Sequence, residues 1–549
     1  MAHEPRIPAP DALEIHLNQT ETSICELLDG CTRYLHAEKG ISTSCRVAGG
    51  WVRDKLLGSQ SNDMDIALSD IMGLAFAEHL NEYAKLKGVE MGTITKIEQN
   101  PDQSKHLETA TFKVFGLSID LVNLRSEEYT EGSRIPTGVA FGTPLEDALR
   151  RDITINALFY NVHSRSVEDF TGKGLDDLRN GTIRTPMPPR ETFQDDPLRV
   201  LRCVRFASRF GFDMVPEVQD AVKDPIVQEA LVSKVSRERV GDEVSKMVQG
   251  RDPLRSAQLV CELKLYHSVF SVIPGEVKSN LPESLLGQVP SEALGAVTIL
   301  HALHTPETSE LTYLHPLLLS VVSENPLVLA RLSLAGLLLP YRSLTYTDSK
   351  KKTHPVVASV IRDSLKLGTQ NHYLDGIPVL FTGVDVIKAG IEAHLKDPFD
   401  RAKLGLLLRN KFVHNPLTGS HWSTTLLFSL ITDLVPLYNT SQDILDVYAA
   451  SSVIDLYNSF TKTIVDFGLQ NDVDSKPLLT GHDIVVAFNI GKPGPWVGKV
   501  LEDVVEWQLG NPAKTKDDCM EWLRGRGVNH YVSAEDRRPE PATKRPRRK

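Results

Sequence analysis

Cysteine is scarce and scattered. The 549 residues contain six: Cys25, Cys31, Cys45, Cys203, Cys261 and Cys519. None forms a CxxC, and no Cys/His spacing suits zinc, which excludes a disulfide scaffold and a zinc module. They read as reduced thiols of an intracellular protein. No run of about eighteen apolar residues occurs, so neither a membrane-spanning helix nor a membrane partner is expected. The longest candidate, NPLVLARLSLAGLLLP, is short and carries Arg331. The N-terminal MAHEPRIPAPDALEIH has no apolar signal core. Glu4, Asp11 and Glu14 are out of place in a mitochondrial presequence, so a mitochondrial form would need an alternative upstream start. Excess positive charge is also missing, since the net charge is −10. That average does not exclude nucleic acid, because binding depends on local patches. The clearest patch is KRPRRK, Lys544 to Lys549, readable as a nuclear-import signal or as a tail with affinity for RNA.

What is present is ordinary globular composition, 41% hydrophobic and 24% charged, in a chain long enough for three or four domains. Residues 1–22 are Pro-rich and polar and read as a flexible arm. From there to Pro189 short strands mix with helices: TSCRVAGG, NDMDIALSD, ETATFKVFGLSIDLVNL and part of ITINALFYNVHSRSVEDF have strand character. After Arg190 strand signals nearly vanish. DPLRVLRCVRFASRFGF, Ser291 to Val297, RAKLGLLLRNKF, TTLLFSLITDLVPLYN and ILDVYAASSVIDLYNSFTKTIVDFG all have helical spacing. The expectation is a mixed α/β head followed by an elongated all-α remainder, without internal repeats. Residues 533–549 are charged, contain proline and read as a disordered basic tail.

RVAGGWVRDKLLG and NDMDIAL carry the chemistry. A strand ending at Ala48 runs into Gly49 and Gly50, which permit tight backbone geometry and close approach of a ligand. Trp51 to Leu57 can form a short helix stopped by Gly58. A helix start favours phosphate, and Arg53 lies one turn in. Alternation along a strand puts Asp63 and Asp65 on one face and Met64, Ile66 and Leu68 on the other. Two carboxylates on one strand face suit magnesium, a hard cation that keeps substrate phosphates in its shell. Each motif alone has a bland alternative, a GG turn or a solvated DxD. Their separation by fewer than fifteen residues is more specific. Arg199, Arg202 and Arg205 recur every three residues along one drifting helical stripe, which is either a solvated face or a polyanion contact. Arg150, Arg151, Asp152 and Asn156 form a charge cluster against apolar ITINALFYN. His301 and His304 read as helix-surface or core residues.

GGWVRD followed by DMD resembles the signature of the nucleotidyltransferase superfamily that includes DNA polymerase β, and more closely that of class II tRNA nucleotidyltransferases, the CCA-adding enzymes, of eukaryotic, fungal-like type. RRDITINAL, DFTGKGLDDLRNGTIRT, DDPLRVLRCVRFASRFGF and SRERVGDEVSKM resemble further family motifs in order. KPGPWVGKVLEDVVEWQLGNP resembles the tail of eukaryotic members. Asp195 is a departure, since the family usually has Glu there.

The resemblance implies a polymerase-β-like head over residues 23–189. A helical neck for base reading would cover 190–265, a helical body 266–420 and a tRNA-binding helical tail 421–532. It implies untemplated addition of CCA to the 3′ end of tRNA from CTP and ATP, with release of pyrophosphate. Asp63 and Asp65 would hold Mg2+ and be catalytic. Gly50, Arg53, Arg151, Asp196, Arg199, Arg202 and Arg205 would bind nucleotide, with Asp196 and Arg199 reading the base. A carboxylate accepts from the amino group of cytosine or adenine, while a guanidinium donates to the neighbouring acceptor; uracil and guanine offer a carbonyl instead. Asp120, in LSIDLV, is the candidate third carboxylate, with a strand-edge aspartate the alternative. Ser126 to Ala148 would be a flexible loop that helps the site switch from C to A. A monomer in cytoplasm and nucleus is expected. The alternatives are a partial CC- or A-adding enzyme, a poly(A) polymerase of the same superfamily, and an RNA-binding protein with an inactive head.

Overall fold

The computed structural model describes residues 4–61, 63–97, 109–128, 138–287, 289–305, 311–490 and 493–532. The chain divides into two compact units, Met1–Val297 with Ser343–Leu367, and Thr298–Arg342 with Gly368–Lys549. This partition differs from the expected head, neck, body and tail boundaries. The segment after Ser343 returns to the first unit because Arg237 donates to the carbonyls of Ser268, Val269 and Ser364, at 3.1, 2.6 and 2.7 Å.

The first unit begins with α1 (Gln19–Tyr34), closed by a capping box between Asn18 and Glu21. Over its described part the expected arm is hydrogen-bonded to the rest of the unit. The Ile7 N–H donates to the Phe210 carbonyl at 2.9 Å, the Glu4 N–H to Asp252 at 3.2 Å, and Arg251 to the Pro5 carbonyl at 2.8 Å. Next come β1 (Cys45–Ala48), α2 (Gly50–Leu56), β2 (Asp63–Leu68), α3 (Gly73–Leu86), β3 (Thr95–Ile97), β4 (Thr109–Val114) and β5 (Leu117–Asn123). A hairpin of β6 (Arg125–Glu128) and β7 (Gly138–Phe141) precedes α4 (Pro144–Leu149), β8 (Phe159–Asn161) and β9 (Ser166–Glu168). The expected loop over 126–148 thus contains paired strands and a helix with its own Thr143–Glu146 capping box; residues 129–137 lie outside the described residues.

Seven strands form one sheet in the order β3-β4-β5-β2-β1-β8-β9. Only β2 and β5 run parallel; the other neighbours are antiparallel. The alternation in DMDIAL holds: Met64, Ile66 and Leu68 are buried, while Asp63 and Asp65 are exposed. The helical part continues through α5 (Gly174–Asn180), α6 (Pro189–Asp195), α7 (Arg199–Phe210), α8 (Pro216–Lys223), α9 (Pro225–Ser233) and α10 (Arg237–Val248). Helix α7 buries Val200, Leu201, Cys203, Val204 and Ala207, and Gly211, at φ 67°, ends it.

The second unit is helical apart from one short hairpin of Tyr438–Asn439 with Ile444–Leu445 among the described residues. The 24-residue helix Tyr373–Lys396 packs on Trp422–Leu434, and Gly383 admits the Phe412 carbonyl between them. Arg409 donates to the carbonyls of Val473 and Ser475 at 2.5 and 2.9 Å, fixing the chain before the last helices. Arg331 is buried and donates to the Gly419 carbonyl at 2.7 Å. Among the described residues no single helix is long and apolar enough to cross a membrane. All six cysteines are free thiols. Residues 533–549, with KRPRRK, lie outside the described residues.

Candidate active site

The glycine pair occupies the junction of β1 and α2. Gly49 adopts φ 69°, ψ −128°, a conformation that side chains rarely take, and a β-carbon there would lie 2.8 Å from Arg151 Nη1. Its N–H donates to the Leu158 carbonyl at 3.1 Å. Arg53, one turn into α2, is buried. It donates to Asn156 Oδ1, and to Asp54 Oδ1 at 2.9 Å, with its guanidinium 4.8 Å from the Phe210 ring centre. Burial lowers its pKa, and Asp54 partly offsets that.

Beside it, the parallel register pairs Asp65 with Asp120 and Asp63 with Ser118. Residues in register on adjacent strands share a face, so β5 adds its carboxylate to the pair on β2. Asp120 accepts from Thr111 Oγ1 at 2.7 Å. Asp65 keeps solvent access, yet the surrounding walls remove much of its water. That desolvation raises its carboxyl above the usual range, the nearby Asp120 charge adds to the rise, and Arg151 opposes it. Crowded carboxylates that resist joint ionisation make a donor set suited to a divalent cation. Among the described residues, no three acidic, histidine or cysteine side chains are arranged to ligate an ion by themselves. Magnesium needs only one or two protein carboxylates when phosphates and water complete its shell, so Asp63 and Asp65 fit it.

Facing the strands, Asp147, almost fully buried, binds two arginines at once. Arg150 Nε donates to it at 2.8 Å and Arg151 Nη2 at 2.9 Å. Asp152 accepts from Arg202 Nε at 2.7 Å and from Asn156 Nδ2 at 3.1 Å. Burial would raise its carboxyl, but Arg202 and Asn156 override that and lower it to about 2. Arg205 pairs with buried Glu243 of α10 at 2.5 Å and lies 4.0 Å from the Phe206 ring centre. The arginine stripe of α7 is therefore neither a solvated face nor unpaired. Buried carboxylates hold Arg202 and Arg205 in place, and backbone carbonyls hold Arg199.

Of these groups, Gly49, Arg53, Asp65, Asp152, Glu243, Arg150, Arg151, Arg202 and Arg205 line one cleft of about 590 Å³. Nine cationic side chains face five acidic ones around it, a local excess of positive charge in an acidic chain, which suits a polyanion such as a triphosphate. Gly50, Arg53, Asp65, Arg151, Asp196, Arg199, Arg202 and Arg205, all expected from the sequence, meet there. Asp63 shares the exposed face of β2 but does not line the cleft. Asp196 is not the start of a helix. It lies between α6 and α7, where its carboxylate accepts from the Leu198 N–H at 3.2 Å and from Arg239 Nη2 at 2.6 Å. Arg199 is buried and donates to the carbonyl of Arg150 at 2.6 Å. Sequence reasoning missed Arg239, Glu243 and Lys246. Their spacing in SRERVGDEVSKM, four and three apart, puts them on one face of α10 and was the available signal.

Two strand-borne carboxylates opposite a cationic cleft, on a mixed sheet joined to helices, define a nucleotidyltransferase with a polymerase-β-like head. The family described as "Poly A polymerase head domain" matches residues 45–184, and that described as "Probable RNA and SrmB- binding site of polymerase A" matches 211–275. A mitochondrial CCA tRNA nucleotidyltransferase of Saccharomyces cerevisiae is 37% identical, covering 94% of each chain. A tRNA nucleotidyltransferase of Schizosaccharomyces pombe is 33% identical over 95% of this chain and 99% of its own. A CCA-adding enzyme structure in its apo form II shares the fold at TM-score 0.58 and 18% identity, covering 93% of this chain and 96% of that one. The chain belongs to the family of CCA tRNA nucleotidyltransferases, the CCA-adding enzymes.

Proposed function

We infer that this protein completes the 3′ end of tRNA by adding C, C and A from CTP and ATP without a template. The observation that carries the reading is the cleft in which Asp65 of β2 meets the arginines of α7. The 3′-hydroxyl of the tRNA attacks the α-phosphate, and pyrophosphate leaves. Arg53, Arg151, Arg202 and Arg205 bind the triphosphate and ribose, already oriented by Asp54, Asp147, Asp152 and Glu243 respectively, so little ordering is needed at binding. Gly50 lets the backbone approach the phosphates. Asp63 and Asp65 hold Mg2+, which when bound neutralises phosphate charge and lowers the pKa of the attacking hydroxyl.

Asp196 and Arg199 read the base edge in place of a template. Arg239 keeps the Asp196 carboxylate aimed, because a bidentate guanidinium fixes a carboxylate in plane. The helical remainder binds tRNA by shape and phosphate contacts. Two relatives are named mitochondrial, which supports a mitochondrial form beside a cytoplasmic and nuclear one, with residues 544–549 as the import signal.

The match to a poly(A) polymerase head gives the second reading its footing. The test is incubation of tRNA transcripts lacking all, two or one of the terminal nucleotides with labelled CTP or ATP. CTP should extend the first two and ATP only the third. CTP use alone, ATP use alone on the third, or long A tracts would identify a CC-adding enzyme, an A-adding enzyme or a poly(A) polymerase respectively.

A further inference from the structure

The segment 343–367 has a place in the fold that nucleotide chemistry does not explain. Its hairpin pairs Thr345–Thr347 with Thr353–Pro355. The turn between them presents Lys350, Lys351 and Lys352, all exposed. The turn is built rather than loose. Asp348 Oδ1 accepts from the N–H groups of Lys350 and Lys352 at 2.9 and 2.8 Å, and its Oδ2 sits 2.9 Å from His354 Nε2. Lys351 takes the left-handed conformation at φ 60°, and its N–H donates to the Asp348 carbonyl at 2.9 Å. Asp348 is thus occupied by the backbone and His354, and among the described residues no carboxylate pairs with the three ammonium groups. Arg362 Nη2 reaches the Tyr346 hydroxyl at 3.4 Å, tying the hairpin to the helical turn at 360–364. That turn is locked to α10. Arg237 donates to the Ser364 carbonyl at 2.7 Å, and a β-carbon at Gly241 would overlap the Leu365 carbonyl oxygen. The same helix carries Arg239, Glu243 and Lys246 into the cleft.

We propose that the Lys350–Lys352 turn is a phosphate-backbone contact for the RNA substrate, held at a fixed offset from the cleft through the 360–364 turn and α10. The proposal rests on the tRNA reading above. Three consecutive ammonium groups on an ordered turn fit the phosphates of a duplex, which binding proteins engage to set register without reading sequence. Release of counterions then makes the contact salt-dependent, with a slope of about 0.9 per neutralised phosphate.

The test compares wild type, the triple variant Lys350→Ala/Lys351→Ala/Lys352→Ala and a triple Lys→Arg variant. Binding to a tRNA transcript lacking CCA is titrated from 50 to 200 mM KCl, beside thermal melts and steady-state kinetics in CTP and in tRNA. The alanine variant should melt like wild type and keep its KM for CTP. Its KM for tRNA should rise about tenfold, and its salt slope should fall by roughly one to three. The arginine variant should restore both. An alanine variant with wild-type tRNA affinity and salt slope overturns the proposal while leaving tRNA addition intact. A wild type that neither binds nor extends tRNA overturns the reading beneath it and the proposal with it.

Discussion

Replacing Asp152 by alanine should both loosen the head and weaken nucleotide binding. The carboxylate is buried and accepts from Arg202 at 2.7 and 2.6 Å, from Asn156 at 3.1 Å and from the Ile153 N–H at 2.9 Å. Its pKa lowering from 3.8 to about 2 corresponds by proton linkage to roughly 2 kcal/mol at neutral pH. The sign follows from the depressed folded value. The stabilisation is complete above the ordinary carboxylate pKa and is lost as pH falls through about 2. Truncating one member of a buried pair costs about 3–5 kcal/mol. Arg202 is 34% exposed and can turn to water, so about 2–4 kcal/mol is expected at pH 7. Native-state hydrogen exchange of the α7 amides reads this locally. The difference from wild type should shrink by about 1 kcal/mol near pH 3, because the carboxylate of the unfolded wild-type chain protonates there while the folded one does so only near 2. The KM for CTP should rise at least tenfold, because Arg202 loses the group that aims it. Asp152→Asn should keep more of the stability and lose its pH dependence. A loss below about 1 kcal/mol at pH 7, with an unchanged KM, would refute the idea that buried carboxylates set the arginine stripe.

Asp63→Ala and Asp65→Ala should each lower nucleotide incorporation by several orders of magnitude while tRNA binding survives; near-normal incorporation by either would remove the metal assignment. Because the Asp65 carboxyl is raised by desolvation and then by Asp120, its protonation in the metal-free protein, followed by carboxyl NMR, should lie above the usual carboxylate range, and Asp120→Asn should move it down. Asp196→Ala and Arg239→Ala should relax discrimination against UTP and GTP or stop addition, the second with a smaller effect since it acts through Asp196; wild-type rates and selectivity in both would place base reading elsewhere. Gly49→Ala meets both a positive φ and Arg151 Nη1 at 2.8 Å, so its CTP KM should rise with about 1–2 kcal/mol of lost stability, and unchanged values would mean the β1–α2 junction relaxes freely.

The strand carrying Asp63 and Asp65 was legible because period-two alternation is local. So was α7, whose apolar and arginine faces are written in twelve residues. The partners that organise these groups were not legible. Asp120 was a candidate through the family resemblance, but its place beside Asp65 comes from the parallel pairing of β2 with β5. Asp196 meets Arg239 across 43 residues. Arg237 holds the Ser364 carbonyl across 127, and that contact returns 343–367 to the first unit. The contacts of the N-terminal arm were not legible for the same reason. Its Pro-rich composition signals missing regular structure, yet the bonds of Glu4, Pro5 and Ile7 to α7 and to Arg251 and Asp252 depend on tertiary placement. Spacing names which side chains share a face; it does not name what faces them.

The most direct measurement of the central claim supplies all four nucleoside triphosphates together with a tRNA lacking its terminal CCA and sequences the 3′ ends over time. The account predicts C, then CC, then CCA, with growth stopping there and neither U nor G incorporated. Incorporation of U or G at rates near those of C and A, or continued growth into a homopolymer, would contradict it.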